Sequence, residues 1–145
     1  MDCKIYNDLD LNKTISVVIK KLCKKEDEVL SPFSLTHFHA RYIENVHRFG
    51  SITMADLTLL SGTDKANTTR VVKDLLKQDI VLKTGGERKF SLSLTSKGKE
   101  VAEFFKKQKE KFMKLIFKDF SKEEITMLKT LLHKLFVGTT SVLKG

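Results

Sequence analysis

Between Asp64 and Gln78, the residues Thr68, Val71, Val72 and Leu75 recur at the three- and four-residue spacing of one helix face. The opposite face then carries Lys65, Ala66, Asn67, Thr69, Arg70 and Lys73. These residue types suit a DNA duplex. A helix fits the major groove, where arginine pairs bidentately with guanine and asparagine with adenine, each good pair being worth roughly 1–3 kcal/mol of discrimination. Arg70 and Asn67 are therefore the expected base readers, while Lys65, Lys73 and Thr63 are expected on phosphates, which position without specifying. A second basic set, Lys83, Arg88 and Lys89, flanks Gly85 and Gly86. An arginine at a hairpin tip can enter the adjacent minor groove, where narrow A·T tracts concentrate negative potential, with Lys83 and Lys89 along the backbone. A basic face taken alone is most often just a solvated surface, so the elements that position it decide its meaning.

Those elements can be read from the hydrophobic period. Leu11, Ile15, Val18 and Leu22 predict a helix from about Asp8 to Lys24, and Pro32 keeps the helix from continuing into the next segment. Leu35, Phe38, Tyr42, Ile43, Val46 and Phe49 predict the inner side of a second helix, ended by Gly50. Thr53 caps a short third helix with Asp56 near its positive end and Leu57 and Leu60 inward. The tight turn Ser61, Gly62, Thr63 joins it to the basic helix, which makes a helix-turn-helix. The period then shifts toward two over Ile80–Lys83 and Lys89–Leu94. Thr84 to Arg88 form the expected tip of that hairpin, paired glycines accepting positive φ, so the hairpin is a wing. Thr95 caps a helix through Val101, Phe104, Phe105, Phe112, Leu115 and Ile116. Ser121 and Glu124 form a capping box for a last helix with Ile125, Leu128, Leu131, Leu132, Leu135 and Phe136 on a broad apolar face. The predicted fold class is mainly α with a small β-hairpin wing, the last two helices offering a surface for another chain. From Ser96 to Lys118 eight lysines face three glutamates, so the first of those two helices is also placed near phosphates.

Composition narrows the function classes. With 145 residues, 41% of them hydrophobic, the chain can bury one core as a single domain. Its 27 Lys and Arg against 18 Asp and Glu give a net charge of +9, which favours polyanions. No run of about 18 apolar residues and no leader-like start is seen, so a cytoplasmic protein with no membrane partner is expected. Cys3 and Cys23 cannot build a disulfide framework or a zinc knuckle. Cys23 stands among Lys20, Lys21, Lys24 and Lys25, a setting that makes a thiol redox-reactive when it is exposed and leaves it an inert hydrophobe when it is buried. His37 and His39 point about 200° apart on a helix and cannot share an ion, and His47 and His133 stand apart, so neither metal nor cofactor is expected. Gly85 and Gly86 lack the strand and helix context of a phosphate loop and no Gly-x-Ser-x-Gly occurs, so no enzyme is expected.

The ordered set of Leu35, Thr36 through Gly50, then Ile52 to Leu57, Gly62 to Lys65, Thr69 to Val72, Leu75, Ile80, Val81, Leu94, Thr95 and Gly98 resembles the MarR family of winged-helix transcription regulators. The resemblance implies one domain over 1–145, with 8–30 and 96–145 interlocking as dimerisation helices and 34–95 as the winged helix-turn-helix. It implies a homodimeric, sequence-specific regulator of double-stranded DNA, most often a repressor, on a pseudo-palindromic operator. It also implies a small effector in a cleft beside the reading heads, for which Phe38, Tyr42, Phe104 and Phe105 are the aromatic candidates and His39 matches a family site. The chain departs from the family pattern at Gly86, where an aspartate usually steadies the wing arginine and Glu87 can substitute. It departs again at Asp79 in place of a glycine, at Thr58 in place of an alanine and at Thr68 in place of a core aliphatic. Two other readings stay open: a winged-helix module for protein partners, and an architectural DNA binder driven by charge alone.

Overall fold

The computed structural model describes residues 10–144, so Cys3 and the first two residues of the expected opening helix lie outside the described residues. The chain divides into two compact units, one through Gln108 and one from Lys109.

In the first unit, α1 (Leu11–Leu30) is capped by Asp10, whose carboxylate accepts from the Lys13 amide at 2.8 Å. The helix runs six residues beyond the expected end at Lys24. Glu26 occupies a buried inner position between Leu22 and Leu30, and a charged residue on the core face hides the period from a hydrophobicity count. Pro32 lies in a short 3-10 turn (Ser31–Phe33), near its start, where its missing N–H costs no bond. Ser34, at φ 57°, then reverses the chain.

Helix α2 (His37–Phe49) opens with a reciprocal cap in which the Thr36 N–H donates to His39 Nδ1 at 3.1 Å, and it closes at Gly50, φ 73°. Its inner side carries Ala40, Tyr42, Ile43 and Val46. Phe38 and Phe49, expected inward, are instead largely exposed, Phe38 by 64%. Both sit roughly 120–140° around the helix from Ile43, outside the arc that a single stripe can bury.

Helix α3 (Met54–Ser61) is capped by Thr53 and buries Leu57, while Leu60 stays half exposed. Helix α4 (Lys65–Lys77) starts from Asp64, which accepts from the Asn67 amide at 2.8 Å, and buries Thr68, Val72 and Leu75. Asp79 takes the left-handed conformation, φ 59°, that ends this segment.

The wing strands are β2 (Val81–Gly85) and β3 (Phe90–Leu94), paired antiparallel from Val81 opposite Leu94 to Gly85 opposite Phe90. Thr84 and Gly85 therefore belong to the strand rather than to the tip. Only Gly85 of the two glycines has positive φ, at 112°, and a Cβ there would meet Lys89 O at 2.9 Å. A two-residue strand β1 (Ile52–Thr53) pairs with β3, which gives a three-stranded sheet ordered β1-β3-β2. Two residues are too few to show a period, so sequence patterning missed it.

Thr95 caps α5 (Ser96–Ile116): its hydroxyl accepts from the Gly98 amide at 2.9 Å and donates to Asp79 O at 2.5 Å. Gly98 lies so close to the β2 entry that an added Cβ would stand 2.0 Å from Ile80 O. The core gathers Leu30, Leu35, Ile43, Val46, Leu57, Leu75, Ile80, Leu92, Val101 and Phe105.

In the second unit, α6 (Lys122–Lys144) starts at the expected capping box, with Ser121 N donating to Glu124 Oε1 at 2.9 Å and Glu124 N to Ser121 Oγ at 3.0 Å. Hydrogen bonds that the Glu124 carboxylate accepts from the backbone and the side chain of Ser121 hold it below its ordinary 4.5. Phe117 and Phe120 meet edge to face at 4.9 Å. Met127, Leu131, Leu132, Phe136 and Val137 are exposed along α6. No helix among the described residues is long and apolar enough to cross a membrane.

Candidate nucleic-acid interface

The outer side of α4 is as polar as its inner side is apolar. Lys65, Ala66, Thr69, Arg70 and Lys73 are exposed, while Asn67 and Thr63 are partly covered. Local chemistry orders this face. Asp64 receives the Asn67 amide N–H through Oδ1 and the Asn67 side-chain Nδ2 through Oδ2 at 3.3 Å, and Arg70 Nη2 donates to Asn67 Oδ1. Asp64, Asn67 and Arg70 thus form a rail along the first turn and a half of the helix, with the Asn67 amide oriented at both ends. The Thr69 hydroxyl gives its proton to Lys65 O at 2.9 Å, which leaves its lone pairs as acceptors. In the wing, Lys83, Arg88 and Lys89 are exposed together with Glu87. Lys83 Nζ stands 4.4 Å over the Phe90 ring, a cation–π contact that restrains the ammonium on the strand.

The buried side of α4 is tied to its neighbours by hydroxyls. Thr68 Oγ1 donates to Asp64 O at 3.0 Å, stands 2.9 Å from Thr58 Oγ1 of α3 and lies 3.3 Å from the Tyr42 hydroxyl of α2. A second tie joins His39 Nε2 to Asp74 Oδ2 at 3.4 Å.

A cavity of about 570 Å³ opens beside these ties, bounded by Ile19 and Cys23 of α1, by Phe38, His39, Arg41 and Tyr42 of α2, and by Asn67, Arg70, Val71 and Asp74 of α4. Three of the expected cleft residues, Phe38, His39 and Tyr42, line it. The other two lie elsewhere: Phe104 packs edge-on against Phe33 at 5.2 Å, and Phe105 is a core residue, 1% exposed. Both followed the apolar stripe of α5, and a stripe of that kind is consumed by packing. Cys23 is a partly buried free thiol in the cavity wall. Arg41, Asn67, Arg70 and Asp74 are lining residues that sequence reasoning did not assign to a cleft. No sequence signal marks them, because three helices distant along the chain create the space.

Charge around the cavity is largely paired. Arg41 Nη1 reaches the buried Glu26 Oε1 at 3.3 Å, while Glu26 Oε2 has no hydrogen-bond partner. His37 and His39 take different carboxylates, His37 binding Asp27 Oδ1 through Nδ1 at 2.8 Å and through its backbone N–H at 2.7 Å. Burial pushes the Asp27 carboxyl up, but the His37 backbone and side-chain hydrogen bonds, with the His37 charge, outweigh it and leave the group below its ordinary 3.8.

A helix-turn-helix followed by a strand-paired wing is a winged helix. It is the winged helix of MarR-type structures. The chain superposes on a MarR protein from Peptoclostridium difficile with TM-score 0.84 at 21% identity, covering 91% of this chain and 88% of that one. It matches a MarR transcriptional regulator from Methanosarcina mazei with TM-score 0.81 at 19% identity, over 97% of this chain and 99% of the other. A cysteine-to-serine mutant of MarR from E. coli complexed with operator DNA gives TM-score 0.77 at 22% identity, over 86% and 92%. At identities this low the likeness is one of fold. No family model and no curated protein matches the sequence.

Proposed function

We propose that this chain is a sequence-specific, double-stranded-DNA-binding transcriptional regulator of the MarR type, acting in the cytoplasm as a homodimeric repressor on a pseudo-palindromic operator. The observation that carries the reading is the outer face of α4, where Lys65, Thr69, Arg70 and Lys73 are exposed and Arg70 is pre-oriented through Asn67. Arg70 reads guanine in the major groove, and Asn67 reads adenine once its amide exchanges Asp64 and Arg70 for the base. Thr63, Lys65 and Lys73 hold phosphates, Ala66 and Thr69 pack against base edges, and Arg88 enters the minor groove with Lys83 and Lys89 on the backbone. Segments 8–30 and 96–145 supply the dimer contact, and 34–95 is the reading head. A small ligand in the cavity beside Tyr42 favours another separation of the two heads, which must otherwise span half-sites about 34–36 Å apart.

The test is fluorescence anisotropy at two salt concentrations, with the DNA upstream of the chain's own gene and a scrambled duplex of equal composition. A preference of about 10³ or more that survives added salt supports base reading. Equal affinities that collapse together with salt overturn recognition of the chain's own upstream DNA and favour the architectural reading or a distant operator. Affinity unchanged by Arg70→Ala and Asn67→Ala favours a module for protein partners.

A further inference from the structure

Thr68 is fully buried, yet it is a hydroxyl on the core side of the reading helix. One oxygen there meets three others, from α2, from α3 and from its own helix. A threonine hydroxyl has one proton and two lone pairs, and this arrangement uses all of them: Thr68 donates to Asp64 O and accepts from Thr58 and Tyr42. Asp64 is also the residue whose carboxylate begins the rail to Asn67 and Arg70. The chain therefore connects, atom by atom, the cavity wall at Tyr42 to the outer face of α4. Thr58 has an alternative acceptor, Met54 O at 2.8 Å, so the cluster can redistribute its protons without leaving Thr58 unpaired. Tyr42 is the one member of the cluster that also lines the cavity.

We propose that Tyr42, Thr68 and Thr58 form the coupling element between the cavity and the reading face, with Tyr42 and Thr68 as positioning residues for Arg70. An occupant that displaces the Tyr42 ring, or takes its hydroxyl proton as a hydrogen-bond acceptor, removes the only member of the cluster that comes from α2. The hydroxyl cluster on the buried side of α4 then keeps only its link to Thr58 of α3, and the first turn of α4, with Asp64 and Asn67, loosens. This inference rests on the DNA-reading role assigned to α4, but its physical core, the link between cavity and helix, does not need DNA to be observed.

The experiment fills the cavity at Cys23. In a Cys3→Ser chain, benzyl methanethiosulfonate places a benzyl group on Cys23, and Cys23→Phe fills the same space without chemistry. Amide hydrogen exchange over residues 65–77 is followed by mass spectrometry, with and without Tyr42→Phe and Thr68→Val. Either filler is expected to speed exchange in α4 about three- to tenfold, the loss of roughly one net hydrogen bond. Tyr42→Phe alone should produce a similar increase, and the filler should then add nothing. Thr68→Val keeps side-chain volume and should behave as Tyr42→Phe does. Exchange in α4 unmoved by both fillers, or moved equally with and without the Tyr42 hydroxyl, overturns the coupling. Coupled exchange with no preference for the upstream duplex sinks base-specific reading of that duplex and leaves the coupling standing.

Discussion

Arg70 and Lys73 stand one turn apart on the same exposed face, yet they are predicted to behave differently. In the free chain Arg70 Nη2 donates to Asn67 Oδ1, which directs the guanidinium along the outer face of α4 before any base is met. Arg70→Ala should lower affinity for the operator about 10- to 100-fold and relax preference at one base position, because a bidentate base contact is lost. Lys73→Ala should weaken all duplexes alike and reduce the slope of log affinity against log salt by about one. Anisotropy titrations across a salt series separate the two. Both residues were legible from spacing alone, because one helix face is a local property. The rail through Asp64 and Asn67 was not, because which rotamers meet is decided by side-chain packing and hydrogen bonding.

The joint between α1 and α2 is held by two acid–base pairs of opposite character. Glu26 is 3% exposed and meets Arg41, whose side chain is 43% exposed. Removing the cation leaves a buried carboxylate without its partner, so Arg41→Met should cost about 3 kcal/mol. Replacing the acid itself by Glu26→Leu should change stability by no more than about 1 kcal/mol, since burial of a leucine offsets the lost pair. Urea unfolding midpoints distinguish these outcomes. Asp27 and His37 make the second pair at the start of α2. The Asp27 carboxyl is lowered in the folded chain, so its contribution is fully present above the ordinary value of 3.8 and is lost as pH falls through the depressed one. Melting followed by circular dichroism from pH 6 to 3 should show Asp27→Asn less stable at the upper end of that range. The gap to the native chain should close below about pH 4. The mis-set end of α1 has the same origin as the first pair: Glu26 reads as a surface residue until its partner on α2 is known.

At the scale of the whole molecule, the net charge of +9 and the apolar residues left exposed on α6 point outward to two kinds of partner. A contiguous apolar helix face in water favours association. We expect Leu131→Asp to yield a monomer by sedimentation velocity. Operator affinity should fall by about 10²- to 10⁴-fold, since a second head that is no longer tethered loses its effective concentration. A variant that remains dimeric would place the interface elsewhere.

What the sequence by itself determined was local: which segments are helical, where Asp64, Thr53, Thr95 and Ser121 cap them, the helix-turn-helix followed by a wing, and the face of α4 that stays in water. Capping and amphipathic period act within a few residues, so they can be read from a few residues. Only the tertiary structure decided that β1 joins the wing, that Phe105 is core while Phe38 is exposed, and that Thr68 meets Tyr42 and Thr58 beside a cavity. The two Thr68 contacts alone join residues 10 and 26 apart in the chain, and no local pattern carries which distant side chains share one space.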